Sequence, residues 1–400
     1  MLVNKHTAWP ILVVVIVLAG AVFIYGVLAA RDPTKKIEHC GYETENAIQA
    51  DCVFRVITED LRKGKFTAAL EVFEEARNEG FAEFVPGECH RKAHAFGDVL
   101  YYEAYLQSGG FDGFSFPLGS TVCSYGIFHG FFEHLFQDNP SVDFVTETCK
   151  MMSDKFGHSM RDIRDTCYHA AGHGFTLHQV EKLSSKDFGN LQLLTREPFD
   201  ICSTLPESSA FELLDECQEG VFNIAINFMT DEEYGFSFDV EEPFKICEEV
   251  DEDMAPYCYR ETARKLDNVS GYNPITLLSI LESAPRPEEA RKWFSKSVGG
   301  IARRIGFEES LKRCWDAPDS VYVDCVRYVI SGLFEGGPIQ KEYKEPLRMC
   351  AHELVVSRGF EKECYDTIIS RLPRYYSSEQ RVYICKEFPQ QALAACEESL

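Results

Sequence analysis

The sequence predicts an all-α protein: an α-solenoid of disulfide-stapled helical hairpins that follows a single N-terminal transmembrane helix. Three observations lead there. Sixteen cysteines fall into consecutive couples, an uncharged apolar run stands near the start, and helical periodicity is far easier to find than strand alternation.

At 400 residues the chain exceeds what one hydrophobic core usually supports, so a repeat array or several domains is expected. Hydrophobic content of 45%, with 13% aromatic, supplies ample surface for burial and excludes general disorder. The net charge of -24 excludes nucleic acid as a partner, since phosphate binding needs a basic surface. It equally disfavours electrostatic adhesion of the folded body to anionic lipid. The acidity reads as a solvated surface.

Residues 1–8 form a short tail. Residues 9–30, "WPILVVVIVLAGAVFIYGVLAA", carry no charge. At ~1.5 Å per residue a helix of that length crosses the ~30 Å hydrocarbon layer, with Trp9 and Tyr25 placed as interfacial anchors. The rival is a cleaved signal peptide with Lys5 as its charged start and "VLAA" as its cleavage region. The length of the run favours an uncleaved signal anchor. Arg31, Lys35 and Lys36 follow the span and only Lys5 precedes it, which by the positive-inside rule favours a cytoplasmic body. Cysteine density argues the opposite, because disulfides belong to oxidising compartments. The cysteines outweigh the flanking charges here. The expectation is a single-pass membrane protein with an extracytoplasmic C-terminal body.

The couples are Cys40–Cys52, Cys89–Cys123, Cys149–Cys167, Cys202–Cys217, Cys247–Cys258, Cys314–Cys325, Cys350–Cys364 and Cys385–Cys396. In the later ones an apolar helical run ends in Cys, a polar stretch follows, and a second Cys opens the next run. Adjacent antiparallel helices bring such positions within the ~4.4–6.8 Å between Cα atoms that a disulfide needs. Closing a loop of about 15 residues stabilises by roughly 3 kcal/mol in the chain-entropy view. Cys89–Cys123 stands apart, because a whole helix lies between its members. No C-x2-C occurs, so the closely spaced thiolates of zinc ribbons are absent.

Residues 31–88 read as N-terminal helical repeats, with two amphipathic helices around a turn at Lys63–Lys65. Within them "GKFTAALEVFEEA" (Gly64 to Ala76) places Ala69, Phe73 and Ala76 at A-x3-F-x2-A spacing, with Gly64 and Phe66 in the preceding turn. This stretch resembles the second helix of a tetratricopeptide repeat. The resemblance covers thirteen residues. The preceding helix lacks that family's Trp/Leu-Gly-Tyr positions, no second copy follows, and the cysteine frame is not part of the pattern. It implies an αα-repeat with a partner-binding groove.

Residues 89–270 read as central His/Cys helical repeats. The stretch "QSGGFDGFSFPLGS" (107–120) is a long loop, read as an Ω-like cover or a binding lip. "CSYGIFHGFFEH" (123–134) and "CYHAAGHGFTLH" (167–178) then share one frame. Counting from Cys, offsets 3, 7 and 11 share a helix face. These are Gly126, Gly130 and His134 in one segment, and Ala170, Gly174 and His178 in the other. Gly220 and Gly332 keep parts of the face, the latter beside Ser331 rather than histidine. The glycine outlasts the histidine, so this face reads as a close-packing seam.

On its flank His169 and His173 lie four residues apart, as do His129 and Glu133. In parallel register these four converge on one divalent transition metal, Zn, Mn or non-haem Fe, with His94 a further candidate. The competing reading is buried or groove-lining imidazoles that donate to backbone carbonyls. Against a shared ion stand the ~8–10 Å that ordinarily separates packed helices, and Leu177 where Glu133 would repeat.

Residues 271–400 read as C-terminal helical repeats. "PITLLSILESA", "PEEARKWFSKSVGGIARRIGF" and "SEQRVYICKEF" begin with the Pro, Ser or acidic residues that helix starts favour. No G-x-S-x-G elbow or phosphate-binding G-x4-G-K-[ST] loop occurs. "AHELV" lacks the second histidine of H-E-x-x-H, so His352–Glu353 reads as a helix start. The acidic runs 230–242 and 248–253 lack EF-hand spacing and read as solvated loops. Asn268 in "NVS" is a glycosylation acceptor in a eukaryotic source. Three functions fit: a tethered extracytoplasmic scaffold that binds a protein partner, a metal-dependent enzyme built on the His/Glu pairs, or a structural envelope component.

Overall fold

The computed structural model describes residues 37–43, 45–81, 83–84, 89–116, 120, 122–156, 161–205, 211–228, 235–236, 238–338 and 340–400. The expected membrane span at 9–30 lies outside these residues. Among the described residues every regular element is helical, none is a strand, and no helix is long and apolar enough to cross a membrane. The chain divides into two compact units, Met1–Val85 with Glu103–Leu118, and Pro86–Tyr102 with Gly119–Leu400.

In the first unit α1 (Asn46–Arg62) and α2 (Phe66–Asn78) form the expected hairpin. Gly64 takes the left-handed conformation at its turn, with φ 68°. Ala69, Phe73 and Ala76 are fully buried, and Phe73 meets Phe84 edge-on at 5.4 Å. Within the 107–120 loop, Phe114 is buried against Tyr105 and Phe66, at ring separations of 5.7 and 6.0 Å. Its phenylalanines make it a packed cover over its own unit.

The second unit holds the remaining helices of seven residues or more. These are α3 (Cys89–Leu100), α4 (Val122–Asp138), α5 (Val142–Phe156), α6 (Arg161–Lys182), α7 (Leu191–Ser203) and α8 (Phe211–Phe228). Then come α9 (Ala255–Ala263), α10 (Pro274–Glu282), α11 (Phe294–Ile305), α12 (Phe307–Cys314) and α13 (Asp319–Gly336). The last are α14 (Lys344–Cys350), α15 (Glu361–Tyr375), α16 (Ser378–Cys385) and α17 (Gln390–Glu398). Polar caps start several of them. Asn273 accepts from the amides of Ile275 and Thr276 ahead of Pro274, and Ser377 and Gln380 form a reciprocal capping box. His352 caps the short turn Glu353–Val356 by accepting from the Leu354 amide, an ordinary helix start.

What positions the interior is a run of neighbouring helices, α3, α4, α6 and α8, packed side by side in the same direction. Each carries glycine where a neighbour crosses it. A Cβ on Gly130 would overlap the His94 carbonyl oxygen, and one on Gly220 would overlap that of His169. Gly174 would press its Cβ to 2.7 Å from the Phe136 side chain. The seam foreseen at offsets 3 and 7 is therefore a set of backbone crossings, and α11 and α13 repeat it at Gly299 and Gly332. It stops short of offset 11. His134 turns to Asp98 (3.3 Å) and the Tyr102 hydroxyl (3.3 Å), and His178 to Glu181 (3.8 Å).

All sixteen cysteines are bonded, in the eight consecutive couples. Most join the end of one helix, or a turn, to the early part of the next. Cys89–Cys123 differs in kind, since it links the first turns of two helices that run parallel, and so fixes the register of α3 against α4. The acidic run 248–253 is not simply solvated. Asp253 and Asp251 approach Arg196 at 3.0 and 3.4 Å, and Glu252 pairs with Arg286.

Candidate metal centre

Close approach of α3, α4 and α6 brings three i,i+4 pairs onto one internal face: His90/His94, His129/Glu133 and His169/His173. Helical side chains four residues apart stack on the same side, so each pair points the same way. His90 and His94 rings lie 4.8 Å apart, and each lies 5.3 Å from the His129 ring. His129 in turn lies 5.4 Å from His169 and 5.8 Å from His173. Five imidazoles and a carboxylate thus form one cluster.

Hydrogen bonds fix which nitrogens carry protons. His90 Nδ1 lies 2.7 Å from the Cys123 carbonyl oxygen, which only accepts, so Nδ1 donates and Nε2 keeps its lone pair. Glu133 Oε2 accepts from His173 Nδ1 at 3.1 Å, which frees the His173 Nε2 in the same way, and His94 Nδ1 lies 3.4 Å from the same oxygen. This is the outer-sphere arrangement that prepares histidine for a metal: one ring nitrogen tied to carbonyl or carboxylate, the other presented inward. His94 Nε2 stands 3.1 Å from His90 Nε2, and His129 Nδ1 stands 3.5 Å from the same atom. At a tetrahedral ion with metal–nitrogen bonds of about 2.0–2.1 Å, neighbouring ligand nitrogens lie about 3.3 Å apart. The His94–His90 and His90–His129 separations match that spacing, and the candidate ligand atoms of all three residues lie within 4.8 Å of one another. A single proton can bridge two of these nitrogens, but a metal ion serves all three.

Electrostatics agree. Burial pushes His90 and His129 well below the usual imidazole range, and nearby cations and imidazoles add to the effect. Burial takes His169 down to about 3 and His173 down to about 3, the Glu133 carboxylate offsetting only part of the latter. These rings are neutral near pH 7, the state that binds metal. Burial works to raise Glu133, yet the hydrogen bonds from His173 and His94 outweigh it and hold the carboxyl well below its usual range.

No family model, curated protein or solved structure matches the chain.

The four side chains singled out in the sequence, His129, Glu133, His169 and His173, do meet in this cluster, but they do not form its tightest donor set. His129 belongs with His90 and His94, whose candidate ligand atoms all lie within 4.8 Å of one another. Glu133 supports the imidazoles from behind. His169 turns its Nδ1 toward Glu216 Oε2 at 3.5 Å, with Glu219 completing a second close group. His173 Nε2 is buried with no hydrogen-bond partner among the described residues. His94 enters as the sequence allowed. His90 was missed, although "CHRKAH" shows it directly as the i-4 partner of His94.

Proposed function

We propose that this chain holds a transition-metal ion at His90 Nε2, His94 Nε2 and His129 Nδ1, inside a disulfide-stapled helical body. One observation carries the reading: three imidazoles converge on the unprotonated His90 Nε2, with His94 and His129 nitrogens at 3.1 and 3.5 Å from it, because His90 Nδ1 donates its proton to the Cys123 carbonyl behind the ring. An all-imidazole set suits Zn2+ or Cu2+, whereas Mn2+ favours oxygen donors. Three protein ligands leave a fourth position for water or another donor, as in catalytic sites.

The wider setting follows from the cysteines and the apolar run at 9–30. Fully oxidised cysteines support an extracytoplasmic body, and the 9–30 run supports a membrane tether. Parallel, register-locked helices favour a solenoid-like stack that also presents a surface to a protein partner, and the αα-hairpin of α1 and α2 suits the same role. In this reading the metal is held on the stack's internal face.

The test is metal content. Protein purified under oxidising conditions, stripped with chelator and returned to Zn2+ in a chelator-buffered solution, binds Zn2+ tightly. H90A/H94A loses the triad ion while keeping its helicity and disulfides. Wild-type protein that takes up no Zn2+ sinks the proposal.

A further inference from the structure

Beside the triad, four more side chains that can ligate a metal meet on α6 and α8: His169, His173, Glu216 and Glu219. His169 Nδ1 faces Glu216 Oε2 at 3.5 Å, and Glu219, three residues on, brings a second carboxylate into the same group. His173 sits one helical turn beyond His169, with their rings 4.8 Å apart. Its side chain is 2% exposed, and its Nε2 has no hydrogen-bond partner among the described residues. Glu133 already takes the proton of its Nδ1, so Nε2 is a bare lone pair inside the protein. A buried acceptor in that condition is destabilising unless something binds it.

The α6–α8 crossing at Gly172 and Gly220 is what brings these donors together. A side chain at either glycine would overlap the facing backbone, so the crossing exists only with glycine at both. Behind the site, Arg260 holds Glu219 Oε1 at 3.2 Å and Lys296 approaches Oε2 at 3.8 Å, which orients the carboxylate. Arg260 also holds Asp215 at 3.1 Å and Glu289 at 3.0 Å, so its charge is already shared among acids.

We infer a second divalent-metal position at His169, Glu216 and Glu219, with His173 Nε2 beside it, next to the triad ion. It rests on the proposed triad for its neighbour, but its own donors come from different helices. Its donor set is harder than the triad's, with carboxylate oxygens joined to imidazole nitrogen, and so accepts Zn2+, Fe2+ or Mn2+. His129 lies between the two positions, its ring 5.3 Å from His90 and 5.4 Å from His169. The centre is therefore a close pair of unlike sites, one nitrogen-rich and one oxygen-rich.

Counting ions tests it. The full chain, oxidised and metal-free, is equilibrated with Zn2+ against a chelator buffer strong enough to strip exposed carboxylates, then desalted and analysed. Two equivalents are expected for wild type, and one for E216Q/E219Q. One equivalent in wild type, lost in H90A/H94A and untouched in E216Q/E219Q, overturns the second position and leaves the triad standing. No retained Zn2+ in wild type overturns both. Circular dichroism and non-reducing mass analysis show whether each variant is folded. Should E216Q/E219Q fail to fold, wild type loaded with Cu2+ decides the matter: a half-field electron paramagnetic resonance signal marks a coupled pair. A spectrum of isolated ions at full loading overturns the pair.

Discussion

Burial raises the Glu261 carboxyl to about 7, from an ordinary 4.5, even though Arg264 stands 3.3 Å away. Asn223 donates to its Oε2 at 3.0 Å, a bond the protonated and the ionised forms both accept. Because the folded value lies above the unfolded one, the native state holds the extra proton between pH 4.5 and about 7. The contribution of this group to stability is thus fully present below 4.5 and falls away as pH rises through 7. Gln in its place keeps the acceptor for Asn223 and removes the ionisation. E261Q should therefore gain stability relative to wild type as pH rises across that window, by up to roughly 3 kcal/mol at pH 8, with no such gain at pH 4. Urea unfolding of both proteins at the two pH values measures it. A difference that does not change with pH contradicts the assignment.

At the scale of single residues the sequence showed the chemistry of the site unevenly. His169/His173 and His129/Glu133 are legible because i,i+4 spacing depends only on the helix that carries them. His90 was harder to see, because α3 is offset by one position. Its histidines stand one and five residues after Cys89, whereas those of α6 stand two and six after Cys167. Glu216 and Glu219 carry no local signal at all. What makes them neighbours of His169 is a crossing of two helices whose residues lie more than forty positions apart.

At the scale of the element, the glycine seam sets how near the helices come. Helices with ordinary side chains pack ~8–10 Å apart; the glycines mark a close-packing face in the sequence, but not which helix each of them meets. Glycines facing one another across α3 and α4, and across α6 and α8, remove that spacing and let imidazoles on adjacent helices meet. G130A is therefore expected to destabilise by about 1–3 kcal/mol and to weaken Zn2+ binding, since its methyl overlaps the His94 carbonyl. G300A is the control. Its Cβ would meet nothing nearer than the Arg303 side chain at 3.8 Å, and alanine there stabilises the helix by up to about 1 kcal/mol. Thermal unfolding of the two variants separates a packing seam from a general intolerance of alanine. Equal losses would count against the seam.

For the whole molecule, the disulfides are the part of the design most openly written in the sequence. Seven of the eight bonds close loops of 11 to 18 residues, so local spacing is enough to pair them. The eighth spans 34 residues and has a different purpose, tying the first turns of α3 and α4 where His90 meets the Cys123 carbonyl. The all-α class was legible for the same reason, because helical period and short staples are both local. Parallel register entered there only as a condition, and the full run of α3, α4, α6 and α8 was not legible, since direction and register between helices are decided by contacts far apart in the chain.

The central claim is that these parallel helices hold a metal ion in histidine nitrogen. X-ray absorption at the metal edge of the Zn2+-loaded full chain tests it most directly. The account predicts a first shell dominated by nitrogen at about 2.0–2.1 Å, with the outer-shell scattering of several imidazole rings, and its loss in H90A/H94A. A shell of oxygen alone, or one that H90A/H94A leaves unchanged, would contradict it.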